Sequence, residues 1–453
     1  MKRLIHMLAA IATVAATPTI GAQTAAPPVP RTPAARSAPA PRDLELFIDG
    51  IVQDAMRTDH IAGVAVAVAD ANGPLLLKGY GQADVAKGIA VDPERTLFRI
   101  GSLSKTFTWI LLMREVERGR VRLDAPVNDY LPAALRLPDA GFKKPVRVAD
   151  LMMHGAGFED NGLGYMLAGS GAKLLPLEEY LARYRPRRVR EAGVAPAYSN
   201  YGAALAGAIV AHLNGIDYPA LVERDILAPL GISGDATFRE PYAPAKGLPA
   251  PMPAALAARV ATGYSWAGGT FAPHGFEYIS NVGPAGSGSA SAAAIARYMQ
   301  AQLAGGAPLY GPAAAKAFRT PMSGPWGASW AHGYMVSPLA PGLTGYGHAG
   351  ATGFFLSNMV LIPDMGIGIF VATNTDTGRP LATRLPELVA QYFGGSGPIQ
   401  RKGDPSLAKK AKDYAGVYLS TRRTYAGLEG FITTLGGVGS VRVSPDGYLI
   451  TQT

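Results

Sequence analysis

The 453-residue chain contains no cysteine. That excludes a disulfide framework, thiol catalysis and any cysteine-held metal site. It does not exclude export, because a core of this size needs no covalent staples. Charge is sparse: 17% of residues are charged, and 42 Lys and Arg against 33 Asp and Glu leave a net charge of +9. The basic residues are scattered and not interleaved with aromatics, which argues against nucleic-acid binding and leaves a weak attraction to anionic surfaces. No Gly-x-Ser-x-Gly elbow occurs, so a common α/β-hydrolase is not indicated, and no Lys-x-Gly occurs either. The Gly286-Ser287-Gly288-Ser289 stretch lacks the Lys-Ser/Thr ending of a phosphate-binding loop and reads as a turn leading into a helix.

What is present is a globular composition, 48% hydrophobic, long enough for two or three domains. Residues 1–22 start with Lys2 and Arg3, continue in an apolar run from Met7 to Ala16, and end on Gly21-Ala22. This is the layout of a secretory signal cleaved after Ala22, predicting a periplasmic or secreted protein; about ten apolar residues are too few for a membrane span. Residues 23–42, rich in Pro and Ala, read as a tether. Residues 43–393 read as the main domain. A helix is predicted around Leu44, Phe47, Ile48 and Ile51, and two strands over 63–68 and 74–78. A further helix is predicted over 291–303, then a hairpin of apolar strands over 354–362 and 367–373, and a closing helix over 381–393. The predicted fold is mixed α/β: an antiparallel sheet flanked by helices, plus an all-helical region between residues 110 and 290. Residues 394–410 read as a linker. Residues 411–453 read as a small β module, too short to stand alone, that either packs on the main body or belongs to a larger module.

The chemistry-bearing stretch runs from Phe98 to Trp109. A short apolar segment meets Gly101, then Ser102, then a run at helical spacing that carries Lys105 three residues on. Ser102 and Lys105 therefore share one face near a helix N-terminus, where free backbone N–H groups and an amine can activate a hydroxyl. Two other Ser-x-x-Lys pairs occur, Ser170 with Lys173 and Ser406 with Lys409, but neither has this context. Tyr198 is the one tyrosine of twenty followed two residues later by Asn, here Asn200, in a loop leading into a helix. His348 is the one histidine of seven with glycine two positions on, Gly350, before Ala351 and the apolar hairpin. His154, in His154-Gly155-Ala156-Gly157, reads as a loop-supporting residue.

These three elements, in this order, resemble those of the serine β-lactamase and penicillin-binding-protein superfamily over about residues 43–393. The branch is that of class C β-lactamases, DD-peptidases of the carboxypeptidase B type and family VIII carboxylesterases. Ser102 to Lys105 matches the Ser-x-x-Lys element, Tyr198 to Asn200 the Tyr-x-Asn element, and His348 to Gly350 the Lys-Thr-Gly element. The resemblance implies acylation of Ser102, proton transfer shared by Lys105 and Tyr198, orientation of Lys105 and substrate by Asn200, and an oxyanion hole from the N–H groups of Ser102 and Ala351. It implies no metal or cofactor. His348 stands where a cationic lysine binds the β-lactam carboxylate, which points to esters first, then peptides ending in D-residues, then β-lactams as substrates. The rival readings are a peptidase or β-lactamase on the same machinery and a non-catalytic sensor of cell-wall fragments.

Overall fold

The computed structural model describes residues 40–139, 141–160, 168–322, 329–395 and 397–452. The segment read as a signal, and the tether up to residue 39, lie outside the described residues. Helix α1 (Pro41–Thr58) opens with proline in its first turn, keeps Asp43 near its N-terminus and Arg57 near its C-terminus, and buries Leu44, Ile48 and Val52 along one stripe.

The centre of the fold is an eight-stranded antiparallel sheet. Its strands are β1 (Gly63–Ala69), β2 (Pro74–Asp84), β3 (Ile89–Ala90), β4 (Trp330–Ala331), β5 (Tyr334–Ala340), β6 (Leu343–Ala351), β7 (Leu356–Ile362) and β8 (Ile367–Thr373), in spatial order β3-β2-β1-β8-β7-β6-β5-β4. β1 joins the early and late halves of the chain by pairing with β8, from Val64 opposite Thr373 to Ala69 opposite Gly368. β1 is buried throughout, and its alternation sorts the two faces. Val64, Val66 and Val68 join the outer core with α1 and helix α5 (Arg379–Phe393). Ala65, Ala67 and Ala69 face the inner core, where their small side chains let helix α4 (Ala292–Leu303) lie close.

On that inner side, a 3-10 turn (Gly101–Leu103) leads into helix α2 (Ser104–Glu117). Buried residues surround α2 on every side, from Ser104 through Met113, as expected of a helix threaded through a core. Helix α3 (Asn200–Asn214) packs beside it, capped by the Ser199 hydroxyl, which accepts from the Gly202 N–H at 3.0 Å, and ended by Gly215 in the left-handed region. The region between residues 110 and 290 is not all helical, as had been expected. It also contains a hairpin (263–267 with 270–274), and strands at 236–237 and 289–290 that form a small sheet with Phe98–Arg99. These strands are two to five residues long, too short to leave a period-2 pattern amid so much Pro and Gly.

The small sheet fastens the segment leading to Ser102. Arg99 and Glu240, 1% and 0% exposed, form an ion pair at 2.5 Å. Arg99 also donates to the Ser287 carbonyl at 2.6 Å, while Glu240 accepts from the N–H groups of Ile279 and Ser280. Beyond α5, residues 416–419 (β9), 438–443 (β10) and 449–452 (β11) form a three-stranded antiparallel sheet, with helix α6 (Gly427–Gly436) between β9 and β10.

Removing one partner of a buried pair strands the other charge without water. Glu240→Gln is expected to lower the unfolding free energy by about 3–5 kcal/mol in chemical denaturation. Asp54→Asn, breaking an i,i+3 pair with Arg57 whose side chains are 66% and 74% exposed, is expected to leave the midpoint nearly unchanged.

Candidate active site

Ser102 lies in the 3-10 turn, half-buried, while the residues around it are closed to solvent. Gly101 before it has φ +51°, and a Cβ there would stand 2.7 Å from the Ala351 nitrogen. Only glycine permits that backbone turn against the β6 edge. Gly350 works in the same way: a Cβ would meet the Ile100 carbonyl oxygen at 1.9 Å. Its place is thus a close backbone approach that sets the Ala351 N–H beside the Ser102 turn. Glu277 holds the chain just beyond β6, accepting from the Thr352 hydroxyl at 2.5 Å and the Gly353 N–H at 2.6 Å.

Lys105, one turn on, is fully buried. Its Nζ lies 2.9 Å from Ser102 Oγ, 2.7 Å from Asn200 Oδ1 and 2.7 Å from the Ala285 carbonyl oxygen. Burial, and secondarily the Arg422 guanidinium, push its pKa well below the usual lysine value. Nζ also stands 4.8 Å from the centre of the Tyr198 ring. The Tyr198 hydroxyl is buried without a completed hydrogen bond, yet near enough to the Ser102 hydroxyl that this neighbour offsets part of the upward push of burial on its pKa.

His154 adopts φ +55° and is buried under Tyr198, ring centres 4.3 Å apart. Its Nδ1 accepts from the Ser199 N–H at 3.1 Å and its carbonyl from the Ala197 N–H at 2.8 Å. It thereby holds the Tyr198 loop, the supporting part expected of it. Trp330 of β4 closes the box, 4.5 Å from His154 and 6.1 Å from His348.

His348 is buried, its Nδ1 2.5 Å from the Ala349 carbonyl oxygen. That contact requires Nδ1 to carry the proton, so Nε2 is an acceptor, and it has no partner among the described residues. Burial, then the nearby Lys105, push its pKa down to about 3. A neutral imidazole therefore stands at the place of the lysine of the Lys-Thr-Gly element, and it brings no positive charge there. The unsatisfied buried atoms here, Tyr198 Oη, His154 Nε2 and His348 Nε2, belong to one aromatic box beside Ser102. Such a concentration of buried atoms without protein partners sets this box apart from the packed core around it. Among the described residues no group of His, Asp and Glu is arranged to hold a metal ion.

Sequence reasoning missed Trp330, the Ala285 carbonyl and, farthest along the chain, Arg422. Arg422, from the segment between β9 and α6, places its guanidinium carbon 4.8 Å from the centre of the Tyr198 ring. Ser102 and Lys105 could be linked by a three-residue spacing; Arg422 lies 224 positions beyond Tyr198 (422 − 198), with no periodicity or motif tying the two together.

A histidine buried uncharged opposes folding wherever the unfolded chain binds the extra proton. Between the ordinary histidine pKa and about 3, the unfolded state is protonated at His348 and the folded state is not, so stability falls as pH drops through that window. His348→Asn is expected to flatten part of this acid slope in thermal midpoints measured from about pH 7 to about pH 4. His154, also held well below its ordinary pKa by burial, retains the remainder.

Residues 48–392 match the family model described as Beta-lactamase. Over 362 residues the chain is 28% identical to penicillin-binding protein 4 of Amycolatopsis lactamdurans, covering 75% of this chain and 88% of that one. It is 31% identical over 201 residues to Esterase EstB of Burkholderia gladioli, covering 41% of this chain and about half of that protein, 49%. Among solved structures, the octameric penicillin-binding protein homologue from Pyrococcus abyssi superposes with a TM-score of 0.64 at 23% identity, over 90% of this chain and 89% of that one, a likeness of fold. The chain therefore belongs to the Beta-lactamase family, whose members are serine hydrolases.

Proposed function

We propose that the protein is an exported acyl hydrolase that works through an ester on Ser102, with small carboxylic esters as its leading substrates. The observation that carries this reading is the environment of Lys105. Two of its three polar neighbours, Asn200 Oδ1 and the Ala285 carbonyl, can only accept, so they take two N–H bonds. In the neutral amine this leaves the lone pair for the third, Ser102 Oγ. Burial favours the uncharged form of both groups, so the resting pair is amine and phenol, not ammonium and phenolate.

Lys105 then takes the Ser102 proton as Oγ attacks the acyl carbonyl. The N–H groups of Ser102 and Ala351 receive the oxyanion. Tyr198 passes a proton to the departing alkoxide, and water reverses the sequence to free the acid. A neutral His348 supports esters over β-lactams, since its Nε2 can only accept and offers a β-lactam carboxylate neither a charge nor a donor. The name of the Burkholderia relative, an esterase, points the same way.

A chromogenic short-chain ester, a chromogenic cephalosporin and a D-Ala-D-Ala peptide, assayed in parallel, test the ranking. The expected order of kcat/KM is ester, peptide, cephalosporin, and an efficiency for the cephalosporin far above that for the ester overturns it. Ser102→Ala is expected to abolish turnover, and Lys105→Ala to raise the barrier by about 3 kcal/mol or more. A fluorophosphonate should add one adduct, on Ser102, in intact-mass spectrometry; no adduct from any acylating probe favours the sensor reading. Export rests on the basic start, short apolar run and Gly21-Ala22 of residues 1–22. N-terminal sequencing of protein from a periplasmic fraction is expected to begin at Gln23.

A further inference from the structure

The two N–H groups that receive the oxyanion come from segments far apart in the chain, Ser102 after the Phe98–Arg99 strand and Ala351 at the end of β6. The sheet holds the second of these only partly. Pairing of β6 with β7 ends at Ala351 opposite Leu356, and pairing with β5 runs no further than Gly347 opposite Met335. Past Gly347 one edge of β6 therefore faces the Ile100–Gly101 backbone in place of a strand.

Glu277, in the loop after the 263–274 hairpin, reaches both segments. Its backbone carbonyl accepts from Arg99 Nη2 at 3.0 Å, three residues before Ser102. Its carboxylate accepts from the Thr352 hydroxyl and the Gly353 N–H, the first two residues beyond Ala351. The Thr352 hydroxyl oxygen in turn accepts from the Phe355 N–H at 3.1 Å, and the Thr352 N–H donates to the Phe355 carbonyl at 2.9 Å, so the turn leaving β6 is closed on itself. The loop that carries Glu277 is fixed on either side. Before it, the His274 ring stacks on Phe354, centres 3.7 Å apart and planes 8° from parallel. After it, the N–H groups of Ile279 and Ser280 donate to Glu240, the buried partner of Arg99.

We propose that Glu277 is the positioning residue of the oxyanion hole: it braces the Ser102 segment through Arg99 and the Ala351 segment through Thr352 and Gly353, and so fixes the separation of the two N–H groups. The proposal rests on the acyl-hydrolase reading and deepens it. Glu277 acts through the strand and not on the acyl group. A carboxylate suits the task because both its oxygens accept, whereas an amide in its place would turn an NH2 toward a second donor. Donors aimed at a developing charge lose their effect when displaced by a fraction of the hydrogen-bond length, which gives a remote brace its leverage on rate.

The test compares p-nitrophenyl butyrate with its thiono counterpart, in which sulfur replaces the carbonyl oxygen. Sulfur is a poor hydrogen-bond acceptor, so the oxo-to-thiono ratio of kcat/KM reads the hole and not the general soundness of the fold. In full-length protein, Glu277→Gln is expected to lower kcat on the oxo ester by about 10–100-fold with KM little changed, and to lower the ratio by about tenfold. Thr352→Val, which removes one of the two bonds, is expected to lower the ratio as well, and Thr352→Ser, which keeps the hydroxyl, to retain the parent value. This second pair carries the test if Glu277→Gln does not fold. Asp54→Asn, on the exposed surface of α1, is the control and should keep the parent ratio. Equal loss on both esters in Glu277→Gln makes the brace structural only and overturns the proposal. So does a Thr352→Val protein with the parent ratio, or a parent enzyme equally fast on both esters. Fluorophosphonate labelling of the parent separates the levels. An adduct on Ser102 with an unmoved ratio overturns the brace alone, and no adduct overturns the acyl-hydrolase reading and the brace together.

Discussion

The site depends on keeping one amine dry. Lys105 has no contact with solvent, and three oxygens from three separate segments surround its nitrogen. Desolvation makes the charged form expensive, and two fixed carbonyl oxygens consume its N–H groups, so the remaining direction belongs to Ser102 Oγ. Exposing that nitrogen to water would restore an ordinary ammonium, a donor with no lone pair to offer. Much of the packing on the inner face of the sheet acts to prevent this: α2 is surrounded, α3 lies beside it, and the segment bearing Ala285 is closed over the nitrogen.

The same dryness extends to neighbours and fixes their charge states. Tyr198 is kept a phenol, and His154 and His348 are kept neutral imidazoles. At the rim, the guanidinium of Arg422 stands over the Tyr198 ring. Charge is thus excluded from the floor and admitted at the mouth. That division suits acyl transfer, in which the nucleophile must form without competing ions and the substrate must be oriented before it reaches them.

How much of this can be read from the chain depends on sequence distance. Helices and hairpins were legible because their periods are local; the β1–β8 pairing that closes the sheet, Val64 opposite Thr373, spans most of the chain and leaves no such trace. Ser102 and Lys105 are one turn apart, and helical geometry alone predicts their meeting. Tyr198, Asn200 and His348 could be assigned only through ordered motifs resembling a known family. Below that level the sequence was silent. The buried Arg99–Glu240 pair, the Ala285 carbonyl and the Trp330 ring come from segments with no shared pattern. The short strands between 236 and 290 were misread as part of a helical region because Pro and Gly blurred their alternation.

Arg422 shows why a motif-based reading stops short. A motif records groups whose chemistry allows few substitutes, such as a nucleophile and its base. A cation at the rim can come from anywhere the fold brings within reach, and here a strap of residues 421–425, beyond the last helix of the main domain, brings Arg422. The bonds to Glu159, Asp160 and Pro196 are the cost of that arrangement, ordering five residues so that one side chain is held. Asp160 serves both ends of it: its backbone pins the strap, and its carboxylate aims the guanidinium. A surface loop with no function would have little reason to bury an arginine against Tyr198, since the contact with its ring and pairing with one carboxylate compensate only part of the desolvation of that charge.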